Sequence, residues 1–251
     1  MRKTDLLASP ILWVGLLFFG LLLDMDALRP VFAWAFPGVR PEIFDRAGFV
    51  ELFLSHLGLV VAAEAAAAVV GIALAVFVTR PAGRDFRTLV NVLTTTGQTF
   101  PPAAVLALAV PAIGFGPRPT VVALLLYGLL PIVENAIAGL ESVPAALRDA
   151  AEGMGLSPRQ RLCQIELPLA APVILAGVRV SVTIAIGTAT IGSTVGALTF
   201  GTPIFDGLAA NKIPYVLQGA VLVALFAILT DLVFAWLDRR LRPAGDGRTP
   251  A

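Results

Sequence analysis

The chain has 251 residues, 57% of them hydrophobic and 14% charged, with a net charge of +1. Soluble domains carry about 25% charged residues, so this composition excludes an ordinary soluble protein, and the net charge alone points to no partner, nucleic acid included. Cys163 is the only cysteine, which excludes an internal disulfide.

A membrane-spanning helix needs roughly 20 mostly apolar residues. Six stretches qualify, at 6–23, 50–78, 88–113, 119–140, 169–197 and 215–237, and they leave no room for a separate soluble domain. The expected fold is an all-α membrane protein of about six transmembrane helices. Arg2 and Lys3 precede the first stretch as in a signal peptide, but the small-x-small pattern Ala33-Trp34-Ala35 lies well past it and five stretches follow. The first stretch therefore reads as a retained span. The 24–49 segment carries Trp34, Phe36, Phe44 and Phe49 among prolines and charges, as an interfacial element does. Arg80-Pro81-Ala82-Gly83-Arg84 and Gly114-Phe115-Gly116-Pro117-Arg118-Pro119 mark turns. A second outer segment covers 198–214, and the tail from 241 to 251 is expected to be disordered. This divides the chain into an N-terminal span with its outer segment (1–49), a core (50–240) and the tail.

Charge orients the spans. With the N-terminus in the cytoplasm, Arg29, Arg40, Arg46, Arg118 and Lys212 fall outside, Arg179 lies within a span, and the remaining twelve of 18 Lys and Arg fall inside. Such a bias follows the positive-inside rule. Both termini and the 141–168 loop are then cytoplasmic.

That loop is the most informative segment. Ser142 is placed to cap a helix from about Val143 to Met154, Gly155 to end it in a left-handed turn, and Ser157-Pro158-Arg159-Gln160 to open a second helix with a capping box. Leu147, Ala150, Ala151 and Met154 share one face of the first helix. Cys163 reads as a small packing residue. The sequence 149–168, DAAEGMGLSPRQRLCQIELP, resembles the cytoplasmic EAA loop of permease subunits in ABC importers at every spaced position, with Asp149 where the family usually has Glu. The resemblance implies a type I importer permease-like bundle with a cytoplasmic coupling helix. Leu147, Asp149, Ala150, Ala151, Met154, Gly155 and Ser157 would contact a separate ATPase, and Ile165, Leu167 and Pro168 would mark re-entry into the membrane. No Gly-Lys-Ser/Thr P-loop is present in the sequence. The resemblance thus places ATP and magnesium on the partner ATPase, with no cofactor, metal or catalytic residue on this chain.

Gln98-Thr99-Phe100-Pro101, Tyr127-Gly128-Leu129-Leu130-Pro131, Gly177-Val178-Arg179 and Ile186-Gly187-Thr188-Ala189-Thr190 look like the osmoprotectant branch of that family. That branch carries glycine betaine, choline and carnitine. One departure is Gly196-Ala197-Leu198-Thr199-Phe200-Gly201, where the branch has a glycine-rich run facing the binding protein or gate. The resemblance implies a bacterial inner-membrane subunit paired with a second permease subunit, homo- or heteromeric. Its partners would be an ABC ATPase dimer, a separate extracytoplasmic solute-binding protein and membrane lipid.

Charges inside spans need a reason, costing at least ~2.5–3.5 kcal/mol at the bilayer centre. Arg179 has Glu134 and Asp231 as candidate partners, in a gate or a structural ion pair. Glu64, in the alanine run 62–68, is expected to face a dimer interface or a polar cavity, and His56 to make a local hydrogen bond. Thr188, Thr190, Gly192 and Gly196 on the fifth stretch either line a path or let helices pack closely. A different solute, or an ion-coupled secondary transporter, is the alternative; the latter would need midplane coupling groups in paired broken helices, and no internal repeat is evident. No nucleophile–base constellation supports an enzyme.

Overall fold

The computed structural model describes residues 9–241, which are helical with no strand among them. Arg2, Lys3, Arg242, Arg248 and the expected tail beyond Leu241 lie outside the described residues.

Helix α1 (Pro10–Leu23) ends at Asp24, whose carboxylate accepts from Ala27 N–H at 3.2 Å to open a 3-10 turn at Met25–Leu28. The chain then bends 90° into α2 (Arg29–Ala35). Trp34 on α2 is exposed, as an interfacial ring would be, whereas Phe44 and Phe49 are buried in the core. Helix α3 (Phe49–Val78) runs 30 residues without a break.

The third apolar stretch departs from expectation. It forms two helices, α4 (Arg87–Thr99) and α5 (Pro102–Ile113), meeting at 96°. The cause is Pro101-Pro102. A proline disfavours helical geometry in the residue before it, and Phe100 and Pro101 both sit in extended conformation, with ψ of 137°. Among the described residues, four helices are individually long and apolar enough to cross a membrane, or up to six spans if each bent pair counts as one.

Helix α6 (Pro117–Glu141) is the centre of the bundle, packed between α3 and α9 (Leu167–Ala189). Glycines set these approaches. A Cβ on Gly177 would stand 2.6 Å from both the Pro131 carbonyl oxygen and Asn135 Cβ, and one on Gly71 2.9 Å from Ile132 Cγ2. Close backbone contact through small residues is how helices associate where no water drives them together.

Proline also shapes α6 chemically. Pro131 has no N–H for the Tyr127 carbonyl. Gln98 Nε2 on α4 donates to that carbonyl at 2.6 Å, tying the bent pair to the central helix. Helix α9 does not run through residue 197 as expected but tightens into a 3-10 turn at Thr190–Val195 and ends at Gly196 with φ +90°. The second outer segment contains α10 (Gly201–Ala209). Helix α11 (Ile213–Leu241) closes the bundle. Rings of Phe18, Phe53, Phe200 and Phe226 interlock at centroid separations of 5.3–6.4 Å, joining α1, α3, α11 and the segment before α10.

Charges segregate to two ends. Arg29 and Arg40 pair with Glu42, Arg46 with Asp206, and Lys212 donates to the Arg40 carbonyl. At the other end Arg80 pairs with Glu166 and Arg87 with Glu141.

Candidate functional site

The 141–168 loop folds as helix, turn, helix. Its first helix, α7, spans Ala145–Gly153 and begins later than expected. Ser142 does not cap it. Ser142 ends α6 instead, donating its hydroxyl to Gly139 O at 2.7 Å, and Pro144 occupies the position before α7, where a missing N–H costs nothing.

The end of α7 is built as the sequence predicts. Gly155 has φ +80°, and Gly155 N–H donates to Glu152 O at 2.8 Å while Leu156 N–H reaches Ala151 O at 3.1 Å. This reciprocal pattern satisfies two carbonyls at the helix end and requires the left-handed residue between them. Helix α8 (Pro158–Arg161) opens with a full capping box: Ser157 N–H donates to Gln160 Oε1 at 2.8 Å, and Gln160 N–H to Ser157 Oγ at 3.4 Å. Arg161 pairs with Glu152, bracing the two helices.

The apolar face splits. Ala151 is buried, 1% exposed, on a helix that packs on α8 and the Leu162–Glu166 turn, while Leu147 and Met154 are 46% and 70% exposed and Asp149 and Ala150 stand in the open beside them. A loop helix lying flat on its own protein would hide its apolar side chains. This one anchors through a single alanine and presents the rest outward. Cys163, expected to pack, is exposed.

Membrane re-entry has no break. From Pro158 the chain runs as one helical rod to Val195, through a π turn at Leu162–Glu166. The π turn follows from Pro168, whose ring conflicts with the carbonyl four residues back, so the ladder widens just before it. Ile165 is half-buried, Leu167 opens α9 and Pro168 sits in its first turn. Glu166, 5% exposed, receives both guanidinium nitrogens of Arg80, so the rod is fastened to the end of α3.

Of the intramembrane residues, Arg179 and Asp231 form a two-point pair, 2.6 Å at Nε and 2.7 Å at Nη2, joining α9 to α11. Glu134 is not part of it; it is exposed on α6 and makes no ion pair among the described residues. Glu64 lies on the wall of a cavity that is largely apolar, not polar, lined with it by Val61, Ala65, Val182 and Phe226. It is buried, 4% exposed, and accepts from Ser181 Oγ, which also lies 3.1 Å from the Gly128 carbonyl. His56 is fully buried, and its bonds are remote in sequence: Nδ1 accepts from Phe200 N–H at 3.3 Å, so Nε2 carries the proton directed at Ile186 O, 3.1 Å away.

The glycine pair of the fifth stretch splits between two tasks. Gly192 abuts α6, since a Cβ there would lie 2.5 Å from Thr120 Oγ1. Gly196 is not on a helix face at all but forms the left-handed end of the 3-10 turn. Thr190 returns its hydroxyl to Gly187 O at 2.7 Å, and Thr188 is half-buried. In the departing run 196–201, Phe200 is fully buried against His56 and Leu198 is 41% exposed. Sequence reasoning missed Gln98 and the Arg80–Glu166 clamp; the signal for Gln98 was Pro131, which leaves a carbonyl to be satisfied.

Solved structures with this fold include the MetNI methionine ABC transporter in an inward-facing conformation (TM-score 0.68, 20% identity, covering 77% of this chain and 96% of that one). An amino acid ABC transporter is a second (TM-score 0.62, 17% identity, 87% and 98%). By sequence the chain is 46% identical to the osmoprotectant import permease protein OsmY of Salmonella typhimurium, over 86% of this chain and 91% of that protein. It is 41% identical to the choline transport system permease protein OpuBB of Bacillus subtilis, over 62% and 70%. The glycine betaine/carnitine/choline transport system permease protein OpuCD of the same organism is 38% identical, over 78% and 86%. Residues 67–243 match the family described as binding-protein-dependent transport system inner membrane component. The chain belongs to that family, as a multi-pass permease of the ABC importer class.

Proposed function

We propose that this chain is one half of a permease pair that carries quaternary ammonium osmoprotectants into the cell, driven by a separate cytoplasmic ATPase dimer. The observation that carries the coupling is the outward face of α7, Leu147, Asp149, Ala150 and Met154, held on the rigid Gly155 turn and braced by Arg161–Glu152. A rod continuous from Pro158 to Val195 gives a push on that loop a direct route to the opposite end of the bundle. The solute class rests on the names of the relatives. Glycine betaine, choline and carnitine share a trimethylammonium group, which aromatic faces recognise. That cage is assigned to the extracytoplasmic binding protein, which delivers solute to the permease. ATP and magnesium belong to the ATPase. The α7 end faces the cytoplasm, with both termini on that side, as the charge bias supports.

The reading is tested with the assembled permease–ATPase complex in lipid nanodiscs. Binding protein loaded with glycine betaine, choline or carnitine should raise ATP hydrolysis several-fold over unloaded binding protein. A neutral isostere lacking the ammonium charge should not. Equal hydrolysis with every solute would reject the substrate class, and hydrolysis indifferent to the binding protein would reject the importer reading.

A further inference from the structure

At the end of the bundle that carries α7, a cavity of about 170 Å³ lies between the last turn of α3, the α3–α4 turn, the end of α6 and the start of α7. Its charged lining is Arg80, Arg84, Arg87, Arg148, Glu141 and Glu166. Both carboxylates are already engaged. Arg80 holds Glu166 through two nitrogens, and Arg87 holds Glu141 the same way, with Nη2 at 3.1 Å from Oε2. The Arg84 and Arg148 guanidinium groups make no ion pair or hydrogen bond among the described residues, so the cavity keeps an excess of two positive charges.

Two unpaired guanidinium groups facing one small space repel each other unless an anion lies between them. Each presents a planar fork of donors that matches oxygens set in pairs on one centre. The space is several times the roughly 30 Å³ a water occupies, so it suits a multi-oxygen anion better than a halide. Its position adds a second argument. Val78 and Leu140 line it, and they are the last apolar residues of two membrane-spanning helices. That is the level at which headgroup phosphates of a bilayer lie, and juxtamembrane arginines attract anionic lipid there.

We infer that this cavity is a binding site for a phosphate group, held by Arg84 and Arg148 and walled by the two bidentate ion pairs. The bound group bridges the α3–α4 turn to α7, so its occupancy fixes the loop helix against the bundle. The site stands on the cavity and its charges and does not rest on the transported solute or on the ATPase.

The test uses the full chain purified in a non-ionic, phosphate-free detergent at low salt. In one arm inorganic phosphate is titrated and followed by equilibrium dialysis with radiolabelled phosphate. In the other the chain is reconstituted with phosphatidylglycerol and phosphatidylcholine, and retained lipid is counted by native mass spectrometry. One saturable phosphate per chain, or one retained phosphatidylglycerol, is expected. Saturation by the free anion assigns a soluble ligand; retention of the lipid without it assigns a headgroup. Arg84→Gln with Arg148→Gln should weaken whichever binding is found at least tenfold, whereas Arg159→Gln, outside the cavity, should leave it unchanged. Arg84→Gln alone, at an exposed position, should still weaken it about threefold if the double variant does not fold. Glu141→Gln, which releases Arg87, should tighten it. Absence of saturable binding in both arms, or binding indifferent to Arg84, overturns the inference.

Discussion

Replacing Gly155 with Val isolates the turn that presents α7. A Cβ at Gly155 would meet nothing within 4 Å, so the substitution introduces no clash and acts through the backbone alone. The residue's φ of +80° is left-handed, which costs a non-glycine residue about 1–2 kcal/mol, with β-branched side chains among the worst placed there. Relaxing the torsion also loosens the bonds from Gly155 N–H to Glu152 O and Leu156 N–H to Ala151 O, each worth ~0.5–1.5 kcal/mol net. The combined bias against the observed turn is about 2–3 kcal/mol. If the ATPase binds only that turn, its apparent affinity falls by the fraction of loops still holding it, a drop of up to about thirtyfold for a bias of about 2 kcal/mol. The assay is co-purification of a tagged ATPase with permease from membranes matched for permease content. Gly155→Asn should recover much of the association, because asparagine tolerates left-handed geometry. Gly155→Val retaining wild-type ATPase and transport, or Gly155→Asn as impaired as Gly155→Val, would refute the reasoning.

Gln98→Leu should lower thermal stability in detergent by the equivalent of ~1–3 kcal/mol, because it strands the Tyr127 carbonyl that Pro131 leaves without a donor; an unchanged melting temperature would show that the carbonyl is satisfied another way. Gly177→Ala should destabilise despite the ~1 kcal/mol helical gain of alanine, since the added carbon meets backbone at 2.6 Å and overpacking costs ~1–3 kcal/mol. Equal or higher stability would contradict the close α6–α9 approach. Arg80→Leu, measured by the same thermal assay, should cost more than Arg87→Leu: Glu166 is 6% exposed at its side chain and Glu141 47%, so only the first is left as a buried unpaired carboxylate. Equal losses would mean that Glu166 reaches water.

Much of this architecture was legible in the sequence because it rests on local rules. Apolar length marks the spans, and Gly155, Ser157 and Gln160 write the loop turn through capping chemistry that any helix obeys. What was misread involves competition between local signals and neighbours. Ser142 is a good cap by type, yet Pro144 sits where a helix more readily begins, so the serine ends α6. Pro101-Pro102 was visible, but apolar length alone cannot tell a straight span from one bent at 96°. Gly192 and Gly196 share helical spacing only if the α-helix continues, and after Ala189 it tightens into a 3-10 turn that ends at Gly196. Pairing across the bundle was the least legible. Nothing local chooses Asp231 over Glu134 for Arg179, or sends His56 to Ile186 and Phe200; those choices belong to the packing of distant helices.

The most direct test of the account is solute uptake by proteoliposomes holding this chain with the proposed second permease subunit, ATPase and binding protein, with ATP supplied on the ATPase side. Labelled glycine betaine or choline should accumulate only with hydrolysable ATP and loaded binding protein. Accumulation driven by an ion gradient in the absence of ATP, from a verified intact complex, would contradict it.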